Sequence, residues 1–227
     1  ERALYYVERL AEVIRCKTVS KKDGFEAAEF LKLREVIKKL FPLMTEKAEL
    51  RILGDDAYLY KIKGRDESRN VMVMSHHDVV DATGDWQEEP FAGVIRDGKL
   101  WGRGTVDTKT PLFAEFSAIE ELLGEGFEFP VNTYLFSSHN EEYGGDGALL
   151  ALDYFNENNI KFEWIMDEGG AIIDPPMAGI SKRCAMMAVH EKGRCTAQLT
   201  ASSKPGHAGL EGGHKTPVMR MVAFMAE

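Results

Sequence analysis

Along the first forty residues the hydrophobic positions recur at helical spacing. Leu4, Val7, Leu10, Ala11 and Ile14 predict an amphipathic helix over 3–14. Phe30, Leu31, Leu33, Val36, Ile37 and Leu40 predict a second over about 25–40, closed ahead of Pro42. The period then changes. Residues 50–53 and 57–62 are short, β-prone and bounded by Gly54 and Gly64, which predicts strands. The apolar run at 71–75 predicts a strand buried on both faces, 132–137 another buried strand, and 164–166 a further strand. Between them, 112–123 and 148–155 carry helical periodicity, and Asp97-Gly98 between apolar flanks predicts a hairpin over 94–101. The stretch from Asp78 to Gly93 is polar and turn-rich. Residues 185–202 read as strand-like, and 214–227 as a helix with Pro217 in its first turn.

Strands alternating with helices imply an α/β fold: a mostly parallel mixed sheet flanked by helices. The expected organisation is one layered domain over 1–192 and the start of a smaller α+β domain over 193–227. Glu1 at the beginning, and Glu227 inside a helical pattern, read as cut ends, so the chain is expected to be a fragment. A net charge of −9 argues against a nucleic-acid binder. The apolar runs are too short for a membrane span, and the N-terminus lacks a signal-peptide core. Cys16, Cys184 and Cys195 are widely spaced and odd in number, which gives no disulfide framework. A reducing, cytoplasmic setting is expected.

Chemistry concentrates immediately after the buried strands and the hairpin. His76-His77-Asp78 follows 71–75, and Gly102 to Asp107 follows the hairpin. Glu141-Glu142 follows 132–137, and Asp167-Glu168-Gly169-Gly170 follows 164–166. Singly, each reads as an ordinary loop or surface residue. Jointly they deliver imidazole and carboxylates to one crevice, because strand ends in an open α/β sheet converge on the ligand site. So many carboxylates in one place need neutralising, which a divalent metal does. A His/Asp/Glu set without thiolates suits Zn²⁺, with Mn²⁺ or Co²⁺ as substitutes. Adjacent residues at a strand end point to opposite sides, so one glutamate can ligate while the other is free to act as a base. Asp78, two residues from His76, is placed to orient the imidazole. Phosphate-loop and nucleophile-elbow motifs are absent.

The segments SHHDVV (75–80), DWQEEPFAGVIRDGKLWGRGTVDTK (85–109), HNEEYGG (139–145), MDEGG (166–170) and KPGHAG (204–209) resemble, in order, the M20 family of metallopeptidases and aminoacylases. The DEGG form is most similar to the carboxypeptidase S-like and PM20D1-like branch. The resemblance implies a zinc exopeptidase-like fold with two zinc ions. It implies that His76 and Asp167 hold one metal, Glu142 the other, and Asp107 bridges them. Glu141 would be the general base, and Asp78 would orient His76. Within MDEGG either Asp167 or Glu168 is open as the ligand, with Asp167 favoured. His207 would reach across a homodimer formed by the second, lid domain and polarise the substrate carbonyl. A final His ligand beyond the lid is implied and lies past this sequence. Asp81 stands where the family commonly has Pro, a peripheral departure. His77, His139, His190 and His214 are read as bystanders, and Arg103 as an anion-binding group or an ion-pair partner.

The implied activity is hydrolysis of an amide next to a free carboxylate, in a peptide or an N-acyl-amino acid, by metal-activated water. By itself this stretch is expected to be nearly inactive. The competing expectation is a metal-binding or regulatory module of the same fold that no longer turns over.

Overall fold

A computed structural model describes residues 1–168, 172–175, 178–189, 193, 198–202 and 216–226. The chain divides into two compact units, Glu1–Met187 and Ala188–Glu227.

The first unit opens with helix α1 (Arg2–Ile14), a small hairpin of β1 (Ser20–Lys21) and β2 (Gly24–Phe25), then α2 (Ala27–Leu40) and α3 (Pro42–Lys47). Strands β3 (Glu49–Leu53), β4 (Ala57–Ile62) and β5 (Asp66–His76) follow, then the hairpin β6 (Val94–Arg96) and β7 (Lys99–Trp101). Helix α4 (Lys109–Gly124), β8 (Val131–Ser138), α5 (Gly147–Glu157), β9 (Ile165–Met166), β10 (Ile172–Ile173) and β11 (Cys184–Ala185) complete it.

The main sheet is mixed, in the order β3-β4-β8-β5-β9. β3, β4 and β8 pair antiparallel, while β8, β5 and β9 run parallel. The parallel part is thus confined to the half that carries the chemistry. Alternation along each strand builds a core on both faces. Tyr58 and Tyr60 of β4 and Leu135 of β8 cluster with Leu33 and Ile37 of α2, Phe41 between α2 and α3, and Phe116 of α4. Leu59, Tyr134 and Phe136 point the other way, onto Ala151 and Phe155 of α5. Every residue of β8 is buried, as a central strand with helices on both sides should be.

The predicted helices and strands of this unit are present, with several differences. β5 begins at Asp66, because its polar first half lies outside the apolar run that marks the strand. Pro42 opens α3 where a stop was expected, since proline fits the first helical turn as well as it ends the previous one. The β1–β2 hairpin is too short and polar to announce itself. Asp97 and Gly98 do adopt φ of 53° and 71°, the left-handed conformation that their hairpin turn needs.

In the second unit, α6 (Pro217–Ala226) starts at the proline expected in its first turn. Of the strand-like pattern over 185–202, only Ala185, the end of β11, lies in a strand among the described residues. No helix among the described residues is long and apolar enough to cross a membrane.

Candidate metal centre

Register places the site. β5 and β8 are parallel with His76 opposite Ser138, so both strands end at the same edge of the sheet. β9 runs alongside with Val73 opposite Met166, which brings the Asp167-Glu168 step to that edge as well. The loop from Gly102 to Thr108 reaches it from the β6–β7 hairpin. It is pinned by Arg103 N–H donating to Pro90 O (2.8 Å) and Lys109 N–H donating to Gly104 O (2.9 Å).

His76 is the floor of the site, its side chain only 1% exposed, with carboxylates gathered on one side. Its Nε2 lies 3.0 Å from Asp107 Oδ1, 3.3 Å from Glu168 Oε1 and 3.7 Å from Glu141 Oε2. One ligand atom each from His76, Asp107 and Glu142 falls within 4.8 Å of the others, the spacing that a single cation could bridge. Asp107 and Glu141 are open to solvent, at 68% and 57% exposure, so the buried imidazole is approached through an accessible mouth.

Asp78, fully buried, ties these parts together. Its Oδ1 accepts the backbone N–H of Glu141 (3.1 Å), and its Oδ2 accepts that of Glu142 (3.2 Å). Oδ2 also accepts the hydroxyl of Ser20. His76 Nδ1 sits 3.3 Å from Asp78 Oδ1 and 3.0 Å from the Asp78 carbonyl oxygen. This is the contact expected of an acid that orients a ligating imidazole.

Glu141 and Glu142 are on a turn, because β8 ends at Ser138. Their separation therefore comes from that turn and not from strand alternation. Asn140 shapes it: its side-chain oxygen accepts the Gly147 N–H (3.0 Å), and its amide donates to Asp146 (2.9 Å). Gly145 is required beside it, since a Cβ there would stand 2.2 Å from the Asn140 side chain. Asn140 escaped the sequence reading, as it has no signal beyond adjacency to the glutamates.

Electrostatics agree with an unbalanced acidic cluster. Burial disfavours the charged form of His76, but hydrogen bonds to Asp78 and Glu168 outweigh it, and its pKa is pushed up to about 11. Burial raises Glu141 and Glu142, helped by neighbouring acids including Asp107 and opposed by His76. For Asp78 burial also pushes upward, yet its bonds to His76, Ser20 and the Glu142 N–H win and hold it below the usual carboxylate range. Several carboxylates around one imidazole, with no thiol among them, make a donor set that fits a divalent cation.

Of the open pair, Glu168 reaches the imidazole, with Oε1 3.3 Å from His76 Nε2, and its Oε2 accepts the backbone N–H of His76 at 3.2 Å. Asp167 accepts the Glu168 N–H at 2.8 Å. His77 and His139 are buried within the sheet end. His77 stacks on Tyr58 at 4.1 Å and bonds Ser137, and His139 meets Phe25 edge-on. Arg103 packs its guanidinium over Trp86 at 4.9 Å and donates to Asp81 O. His190, His207 and His214 lie outside the described residues.

A mixed sheet with helices on both faces and a His–carboxylate cluster at its strand ends is the layout of a metallohydrolase domain. The chain belongs to peptidase family M20/M25/M40, whose model matches residues 72–206, more than half of it. It is 37% identical over 213 residues to a probable carboxypeptidase S-like 2 of Dictyostelium discoideum, covering 89% of this chain and 41% of the relative. It is 33% identical over 210 residues to an N-fatty-acyl-amino acid synthase/hydrolase of Xenopus tropicalis, covering 90% and 41%. Among solved structures it matches human carnosine dipeptidase 1 with a TM-score of 0.64 at 19% identity, covering 77% of this chain and 40% of that one. It also matches an M20 family metallo-carboxypeptidase of Sulfolobus solfataricus with a TM-score of 0.60 at 27% identity, covering 77% and 38%. The chain thus spans about two fifths of the length of these relatives.

Proposed function

We propose that the protein hydrolyses an amide bond next to a free carboxylate, in a small peptide or an N-acyl-amino acid. The observation that carries this is the convergence of His76, Asp107 and Glu142 within 4.8 Å, with Glu141 beside them and Asp78 behind. Membership of the family supports the same chemistry, as do relatives named as carboxypeptidases and acyl-amino acid hydrolases.

In this reading His76, Asp107, Glu142 and one carboxylate of the Asp167-Glu168 step would hold divalent metal. Two Zn²⁺ ions are proposed, with Co²⁺ or Mn²⁺ able to substitute. Such metal supplies Lewis acidity, easing deprotonation of water and polarising the scissile carbonyl. Glu141, raised in pKa and solvent-accessible, accepts the proton of the attacking water at its carboxylate and returns it to the leaving nitrogen. Asp78 fixes the imidazole plane and, through the two backbone N–H groups it accepts, the position of Glu141 itself. Of the two carboxylates after β9, Asp167 is favoured by the sequence, and Glu168 has its Oε1 3.3 Å from His76 Nε2, so either would supply the ligand from this step.

The second unit would open a lid domain. Its His207, brought across a homodimer, would polarise the substrate carbonyl in the partner's site. A cytoplasmic setting fits the cysteine usage.

The test is full-length protein assayed with and without chelator on a panel of dipeptides and N-acyl-amino acids. Chelator-sensitive release of amino acid is expected. Glu141→Gln should lose about 10²- to 10⁴-fold in kcat with its metal content intact, whereas His76→Ala should lose metal. Release from no substrate, by a protein that still binds metal, would favour a silent metal-binding module.

A further inference from the structure

Asp78 is asked to satisfy three parts of the centre at once, and its side chain alone does not settle how. The terminal torsion of an aspartate is soft and nearly two-fold, so the carboxylate plane needs an external constraint. Two of its partners are the N–H groups of Glu141 and Glu142, and a third is His76 Nδ1, all belonging to the parts being positioned. The remaining partner comes from elsewhere. The Ser20 hydroxyl reaches Asp78 Oδ2 from 58 residues away.

Ser20 is itself held firmly. The segment 18–20 lies against 77–79 as a short parallel bridge centred on Val19 and Val79. Val79 N–H donates to Thr18 O (2.9 Å), and Ser20 N–H donates to Val79 O (3.2 Å). The Thr18 hydroxyl donates to His77 O. Thr18 and Ser20 are both buried. Along this bridge, Thr18 bonds only backbone with its side chain, while Ser20 bonds the carboxylate.

We infer that Ser20 is a positioning residue of the metal centre: its hydroxyl sets the plane of the Asp78 carboxylate, and through it the imidazole of His76 and the Glu141–Glu142 turn. This rests on the metal-binding reading above. A bond from an uncharged hydroxyl to a buried carboxylate is charge-assisted, so its loss is felt in the geometry of everything else that the carboxylate holds.

The experiment is a Co²⁺ titration of the full-length protein, followed by its visible absorption in competition with a chelator, alongside thermal unfolding of the metal-free forms. Ser20→Ala should weaken Co²⁺ binding about tenfold, as loss of a group supporting a ligating His does. Ser20→Thr, which keeps the hydroxyl, should restore it. Thr18→Val removes the neighbouring buried hydroxyl without touching Asp78, and should lower Tm while leaving Co²⁺ affinity as in the wild type. Wild-type affinity in Ser20→Ala would overturn the inference. So would an equal loss in Thr18→Val, which would mean that the bridge acts only through general stability. A wild-type protein that takes up no Co²⁺ would overturn the metal-centre reading and this inference together.

Discussion

Glu115 illustrates how a single side chain next to the centre feels its setting. It lies on α4 with Oε2 accepting the hydroxyl of Ser75, the residue before His76, at 3.0 Å. Burial pushes its pKa up to about 8, against the pull of that hydrogen bond, with Glu168 and Asp167 adding to the rise. The folded protein therefore keeps a proton on Glu115 that the unfolded chain has released above about pH 4.5. Its contribution to stability is full below that pH and is lost as pH rises through about 8. Glu115→Gln carries no such loss. Calorimetric scans should show the variant melting several degrees above the wild type at pH 9, with the gap closing toward pH 5. A gap unchanged between the two pH values would mean that the carboxylate is not its source. At this scale the sequence was informative wherever a residue directly follows a buried strand or a glycine turn, as His76, Asp78, Asp107 and Glu142 do. It was silent on Ser20, whose partner is 58 residues away and whose type is common in any loop. It leaves Asp167 and Glu168 both open, because both carboxylates follow directly on the end of β9 at Met166.

Among elements, the junction of α1 with α4 shows how the Asp107 loop is fastened. Lys109, the first residue of α4, is completely buried and donates to the carbonyls of Cys16 and Val13, just where α1 ends. The C-terminal end of a helix carries partial negative charge, so an ammonium there complements it and adds a second donor to each carbonyl. Lys109→Met keeps the apolar stem but removes the charged donor, leaving, among the described residues, the Val13 carbonyl with only the Cys16 N–H (3.2 Å) and the Cys16 carbonyl with only the Thr18 N–H (2.9 Å). A loss of about 1–3 kcal/mol in denaturant unfolding is expected, and a loss near zero would mean that water replaces the ammonium. Elements with a long single period were readable in advance: α1, α2, α4 and the apolar cores of β5 and β8. Those missed fail for specific reasons. Polar Lys21 to Gly24 hides the β1–β2 turn, and Asp66 to Asn70 extends β5 without an apolar face.

For the first unit as a whole, the sheet register has a kinetic consequence. His76 meets Asp107 across 31 residues, Glu142 contacts Asp78 across 64, and Glu168 reaches His76 across 92. The last two separations are bridged by parallel pairing of β5 with β8 and β9, which closes long loops before it gains any contact. A cation cannot recruit such distant donors from an unfolded chain, as it does in small metal-nucleated domains. Metal should leave the refolding rate of the full-length protein unchanged and slow its unfolding, which stopped-flow chevrons with and without Co²⁺ will show. Faster refolding with metal would place the His76 cluster in the folding nucleus. The pairing of His76 with Ser138 thus makes the cation a late passenger, loaded onto a sheet that has already chosen its order of assembly.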